Sequence, residues 1–145
     1  MEFGGIYVNG GSTAIGGIAT GGWTTVSNFD TNMGYNQVKP NNAFDYLEAL
    51  HRELFYFAFA QVSFAGTANQ EYRFALLNDG VDTGFHTHYG IEETGTYASV
   101  SVGGMVELGP GNKLSLGVHN VNGLTGTTIT VKAAQLLAMR ADVQE

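Results

Sequence analysis

Residues 54–64 read Leu54-Phe55-Tyr56-Phe57-Ala58-Phe59-Ala60-Gln61-Val62-Ser63-Phe64. The run contains no charge, glycine or proline, so nothing in it interrupts a regular element. Its aromatic richness reads as a long buried strand, with a buried helix as the alternative that periodicity alone does not separate. In a strand, side chains alternate between faces. One face then carries Leu54, Tyr56, Ala58, Ala60, Val62 and Phe64. The other carries Phe55, Phe57 and Phe59 before turning polar at Gln61 and Ser63. An outer strand of a lone sandwich is wet on one side. Two apolar faces therefore point to a β-sandwich that covers its core with one and a second subunit with the other.

Composition agrees with an all-β chain. The 145 residues fit one domain with a real core, and 21 glycines with 13% charged residues indicate a turn-rich fold. The formal charge is -7, with 6 Lys plus Arg. No basic cluster exists to hold nucleic acid, and an acidic membrane surface repels such a chain. There is no cysteine, so neither a disulfide framework nor thiolate chemistry is expected. Residues 1–5 lack the basic and apolar segments of a signal peptide. No run approaches the roughly 18 apolar residues of a membrane span. The expectation is a soluble chain made in a cytoplasm.

Outward from the aromatic run, turn signals partition the chain. Residues 1–22 form a glycine-rich arm, with a short strand at Ile6-Tyr7-Val8, that is either loosely ordered or docks on a neighbour. The remaining domain spans 23–145. Trp23–Val26 reads as a short strand and 27–42 as loop. Phe44–Leu50 reads as helix or strand, with the strand favoured. Residues 71–76 and 83–89 read as strands. Residues 98–108 alternate around Gly103-Gly104, which signals a bulge or a close backbone approach. After the Gly109–Asn112 turn, 113–119 and 127–140 are strands. In the last, Ile129, Val131 and Ala133 face inward, and both faces are apolar from Ala133 to Met139. Phe55, Phe57, Phe59, Leu136, Leu137 and Met139 thus become the expected subunit interface.

Catalytic signals are weak. His86 and His88 share a strand face at a spacing that suits Zn or Ni, but nothing completes a site. His51 and His119 have no partner spacing. No Gly-x-Ser-x-Gly elbow is present. Glu92 and Glu93 are adjacent and point to opposite faces of a strand, which does not suit acid–base work. The glycine pairs lack the Lys-Ser/Thr of a phosphate loop. No enzyme, cofactor or metal is expected.

The order of motifs carries a resemblance. Tyr56-Phe57-Ala58-Phe59, Val62-Ser63-Phe64, Leu76-Leu77-Asn78-Asp79-Gly80, the run from Val106 to Leu116 and that from Val131 to Arg140 resemble the C1q/TNF-like jelly roll. The versions found in phage virion proteins are similar in particular, down to an N-terminal stretch like Gly5–Ala14 followed by a strand with Trp23. Two positions depart from the pattern. Phe55 stands where the family usually has Gly. Asn112 stands where it usually has Asp, which keeps the turn but argues against a calcium site of the C1q kind.

The resemblance implies an antiparallel ten-stranded jelly-roll sandwich that forms a homotrimer, and it supports the strand reading of Phe44–Leu50. The leading expectation is a viral structural protein. It would be a trimeric decoration or cement protein that binds the major capsid protein of a virion assembled in the host cytoplasm. Phe3, Ile6, Tyr7 and Val8 of the arm are the expected capsid contacts. A receptor- or glycan-binding knob of a phage fibre is the alternative, and requires a stalk. A secreted C1q-like recognition domain is the other, and requires a signal peptide and a stem.

Overall fold

A computed structural model describes residues 2–18, 20–50, 53–122 and 127–141. His51, the Gly123–Gly126 part of the expected loop and the tail from residue 142 lie outside the described residues. Among the described residues, twelve strands run in order: β1 (Phe3–Tyr7), β2 (Thr13–Ile18), β3 (Thr24–Thr25), β4 (Thr31–Asn32), β5 (Val38–Asn41), β6 (Tyr46–Ala49), β7 (Leu54–Ala65), β8 (Glu71–Asn78), β9 (Val81–Gly90), β10 (Ala98–Leu108), β11 (Lys113–Asn120) and β12 (Thr127–Arg140). They form two antiparallel sheets. The first has the order β10-β7-β12-β1-β4, with β2 also on β12. The second has the order β5-β6-β11-β8-β9, with β3 also on β11. Sequential hairpins interleaved with long crossovers between packed sheets make an all-β jelly-roll sandwich.

The aromatic run is β7, in the middle of the first sheet. Tyr56, Ala58, Ala60, Val62 and Phe64 are buried against the second sheet, as their alternation requires. Phe64 meets Phe74 and Tyr72 of β8 edge-on, with ring centroids 4.8 and 5.9 Å away. Leu76, Leu114, Leu116 and Val118 complete the far side of this core. The ambiguous segment is strand β6, beginning at Tyr46, with Leu47 and Ala49 buried. Its partners β5 and β11 supply backbone bonds that a helix would forgo.

Several expectations need correction. Residues 1–22 are not a separate arm. β1 lies between β12 and β4, β2 lies on β12, and Ile6, Ile15 and Ile18 belong to the core. Gly4 and Gly5 serve close packing rather than looseness. A side chain at Gly4 would fall against the Val38 carbonyl of the opposite sheet, and one at Gly5 against Leu137 and Met33. Gly103-Gly104 makes no bulge, because β10 pairs with β7 in unbroken register from Ala98 to Leu108. Gly104 instead leaves room for the Phe85 ring of β9. Register shifts lie elsewhere, one of them a bulge in β12, where the register on β7 shifts between Val131 and Ala133. The extra residue, Lys132, reverses the parity. Ala133 is exposed, while Ala134, Leu136 and Ala138 turn inward. In the 109–112 turn the positive φ belongs to Gly111, at 83°. Asn112 acts through its side chain, accepting from the Gly109 amide at 2.6 Å and donating to Asp79 at 2.8 Å.

Candidate functional site

The outer face of the first sheet gathers five of the twelve large apolar side chains that are exposed among the described residues. Register places Met105, Phe57, Met139 and Phe3 opposite one another across β10, β7, β12 and β1. All point away from the core, with 58%, 46%, 43% and 40% of their surface exposed. Phe59 and Leu137 face each other in the next row, partly covered. Phe55, half exposed, extends the band toward one end opposite Glu107. A contiguous patch of this kind marks an interaction surface rather than scattered apolar residues.

The band has chemically distinct borders. On one side lies a polar row, with Gln61 opposite Gln135 and Gln135 opposite Tyr7. Gln135 donates to the Gln61 carbonyl at 3.2 Å. A depression of about 260 Å³ opens beside it, lined by Tyr7, Val8, Ser63 and Ala133. On the other side, the Glu107 carboxyl is pushed above its usual range by a hydrogen bond to Glu53 and by the Glu53 charge. The charged groups flank the apolar rows and do not interrupt them.

Of the expected interface, Phe55, Phe57, Phe59, Leu137 and Met139 share this face. Leu136 does not: it is fully buried and points into the core, because the Lys132 bulge sets its parity. The expected capsid contacts are likewise divided. Phe3 and Tyr7 sit on the outer face, Val8 packs beside the core, and Ile6 is inside it. Met105 belongs to the band although its strand otherwise presents Ser99, Ser101 and Gly103 on that face. An apolar residue at an outward position of a polar row was the available signal.

His86, His88 and His119 lie on the outer face of the second sheet. His88 Nδ1 is 2.7 Å from Glu71 Oε1, and both side chains are partly open to solvent. His119 packs on Trp23 with ring centroids 4.4 Å apart. Burial, then the Arg73 charge, hold its imidazole below the usual histidine range. Among the described residues, no group of three or more His, Cys, Asp or Glu is arranged to hold a metal ion. No helix among the described residues is long and apolar enough to cross a membrane.

No protein-family model matches the sequence, and no curated protein sequence matches it. Solved structures do share its shape. An Eiger TNF from S. frugiperda superposes with a TM-score of 0.60 at 12% identity, covering 100% of this chain and 97% of that one. The globular domain of a zebrafish complement 1qA protein superposes at 0.57 with 11% identity, covering 99% and 100%. The chain therefore has the C1q/TNF-like jelly-roll fold. At such identities the likeness concerns the fold alone.

Proposed function

We propose that the chain is a homotrimeric structural protein of a virion, a decoration or cement protein seated on a phage capsid. The observation that carries the assembly is the row Met105, Phe57, Met139 and Phe3 on one sheet face. Full burial of each such side chain is worth about 1.5–3 kcal/mol. A few per subunit, with Phe55 added, support a trimer without buried ion pairs. The trimer has a non-enzymatic role: three weak contacts on one rigid body bind a repeating shell by avidity.

With β1 and β2 built into the sheet, the 9–12 turn is an exposed loop of the glycine-rich segment. Asp30 holds it by accepting from the Asn9 and Gly10 amides, both at 2.7 Å. Ser12 lies 3.5 Å from the Tyr97 hydroxyl, which joins the turn to the exposed 92–97 loop. This end of the sandwich is assigned to the shell. Light scattering on the purified protein tests the assembly, and mass spectrometry of density-banded particles tests the location. A trimer that bands with particles, and loses occupancy when Gly10–Ser12 is deleted, is the expected result. A stable monomer at micromolar concentration, or particles free of the protein, overturns the proposal.

A further inference from the structure

The second sheet has a gap in its edge. β6 pairs with β11 at Lys113 and Leu114, and β3 pairs with the same side of β11 at Gly117 and Val118. Ser115 lies between the two partners. A depression of about 480 Å³ opens there on the outer face, bordered by Thr25 of β3, Tyr46 of β6, Asp79 of the β8–β9 turn and Lys113. Phe44 stands at its rim with 68% of its surface exposed. Its ring is nearly parallel to that of Tyr46, at 17° with centroids 6.3 Å apart. The Lys113 ammonium lies 5.6 Å from the Tyr46 ring centroid. The Asp79 carboxylate is fixed in place, accepting from the Lys113 amide and from the Asn112 side chain, both at 2.8 Å.

We infer that this depression binds a neutral saccharide ring. The combination excludes simpler ligands. A purely apolar molecule would strip water from Asp79 and Lys113 without replacing it. An anion meets the carboxylate, and a cation meets the ammonium. A pyranose satisfies both chemistries. Its C–H face covers the Phe44 and Tyr46 rings, and its hydroxyls donate to Asp79 and accept from Lys113, Thr25 and Ser115. The gap between β3 and β6 sets a shallow site, suited to a terminal or branch sugar. The site lies on the sheet opposite the apolar band and does not depend on trimer formation.

Saturation-transfer NMR on the full chain tests this, using the methyl glycosides of glucose, galactose, mannose and N-acetylglucosamine. The expected result is transfer to the ring C–H protons of at least one glycoside, with binding in the millimolar range. Phe44→Ala should weaken that binding at least about tenfold, and Lys113→Met should weaken it as well. Phe44 is exposed, so its substitution leaves the core alone, as circular dichroism will register. Ser99→Ala, exposed on the other sheet, should leave binding unchanged. Absence of transfer to all four glycosides, or transfer unaffected by Phe44→Ala, overturns the inference. So does loss of transfer in Ser99→Ala with retention in Phe44→Ala.

Discussion

Phe57 and Met139 stand directly opposite each other across the β7–β12 ladder, and both project out of the sandwich. Their inward-facing neighbours in each strand, Ala58 and Ala138, are opposite each other as well, and both are fully buried. One pair therefore serves the fold and the next serves the surface, which separates assembly from stability experimentally. Phe57→Asp should abolish the proposed trimer, since an unpaired charge in a dry interface is costly, while leaving the monomer folded. Light scattering should report the monomer mass with the far-ultraviolet spectrum intact. Phe64→Ala, inside the core, should instead cost about 3–5 kcal/mol of stability. If Phe57→Asp stays trimeric, the band is not the interface.

The close approach at Gly4 gives a second test. A methyl group there meets the Val38 carbonyl, a backbone atom with no rotamer to yield. Gly4→Ala should lower stability by about 1–3 kcal/mol in guanidinium titrations. Gly11→Ala, where nothing lies within 4 Å, should have no comparable effect. Equal stability of the two variants would contradict the packed position of β1.

Asp45 makes stability depend on pH. Its carboxyl is buried, accepts only the Phe29 amide at 3.1 Å among the hydrogen bonds described, and sits at a φ of 61°. Burial raises its pKa from 3.8 to about 6, and the hydrogen bond opposes the rise only in part. The folded state thus holds a proton that the unfolded chain has released between these values. This contribution is present below pH 4 and is lost as pH rises through 6. Asp45→Asn keeps an acceptor oxygen and tolerates positive φ. It should gain about 1 kcal/mol at pH 7, allowing for solvent screening, and nothing at pH 4. Equal urea midpoints for the two proteins at pH 7 would refute this.

Trp23 is the sole tryptophan and packs against His119. An imidazolium in contact with an indole quenches its emission, so Trp23 fluorescence should fall on acidification. The midpoint should lie below 6.5, because burial and Arg73 disfavour the charged ring. His119→Gln should remove the transition. A titration unchanged in that variant would place the quencher elsewhere.

Much of this architecture is legible in the chain itself. Alternation in 54–64 assigns each face of β7, and the Asn78-Asp79-Gly80 turn is visible from composition. The Lys132 bulge is not. Ala133 and Ala134 are identical, so a change of parity between them leaves no mark on the hydrophobic pattern. Gly4 and Gly5 read as looseness because their partners, Val38 and Leu137, are distant in sequence. A glycine chosen for contact looks the same as one chosen for freedom. The apolar band was visible only along its strands. Its cross-strand row joins Phe3, Phe57, Met105 and Met139, which no window of sequence contains.

β12 pairs with β1, β2 and β7, and this gives the chain a biosynthetic order. Translation at about 5–20 residues per second delivers β7 several seconds before residues 127–140. During that interval β10 can close one edge of β7, while the other edge and the buried sides of β1 and β2 await a strand not yet made. Non-local pairing of this kind is slow and exposes apolar surface to other nascent chains. A ribosome that stops before residue 127 releases an aggregation-prone product with an open sheet edge, not a shortened subunit. Completion of the last strand is thus a checkpoint: only finished chains close the first sheet.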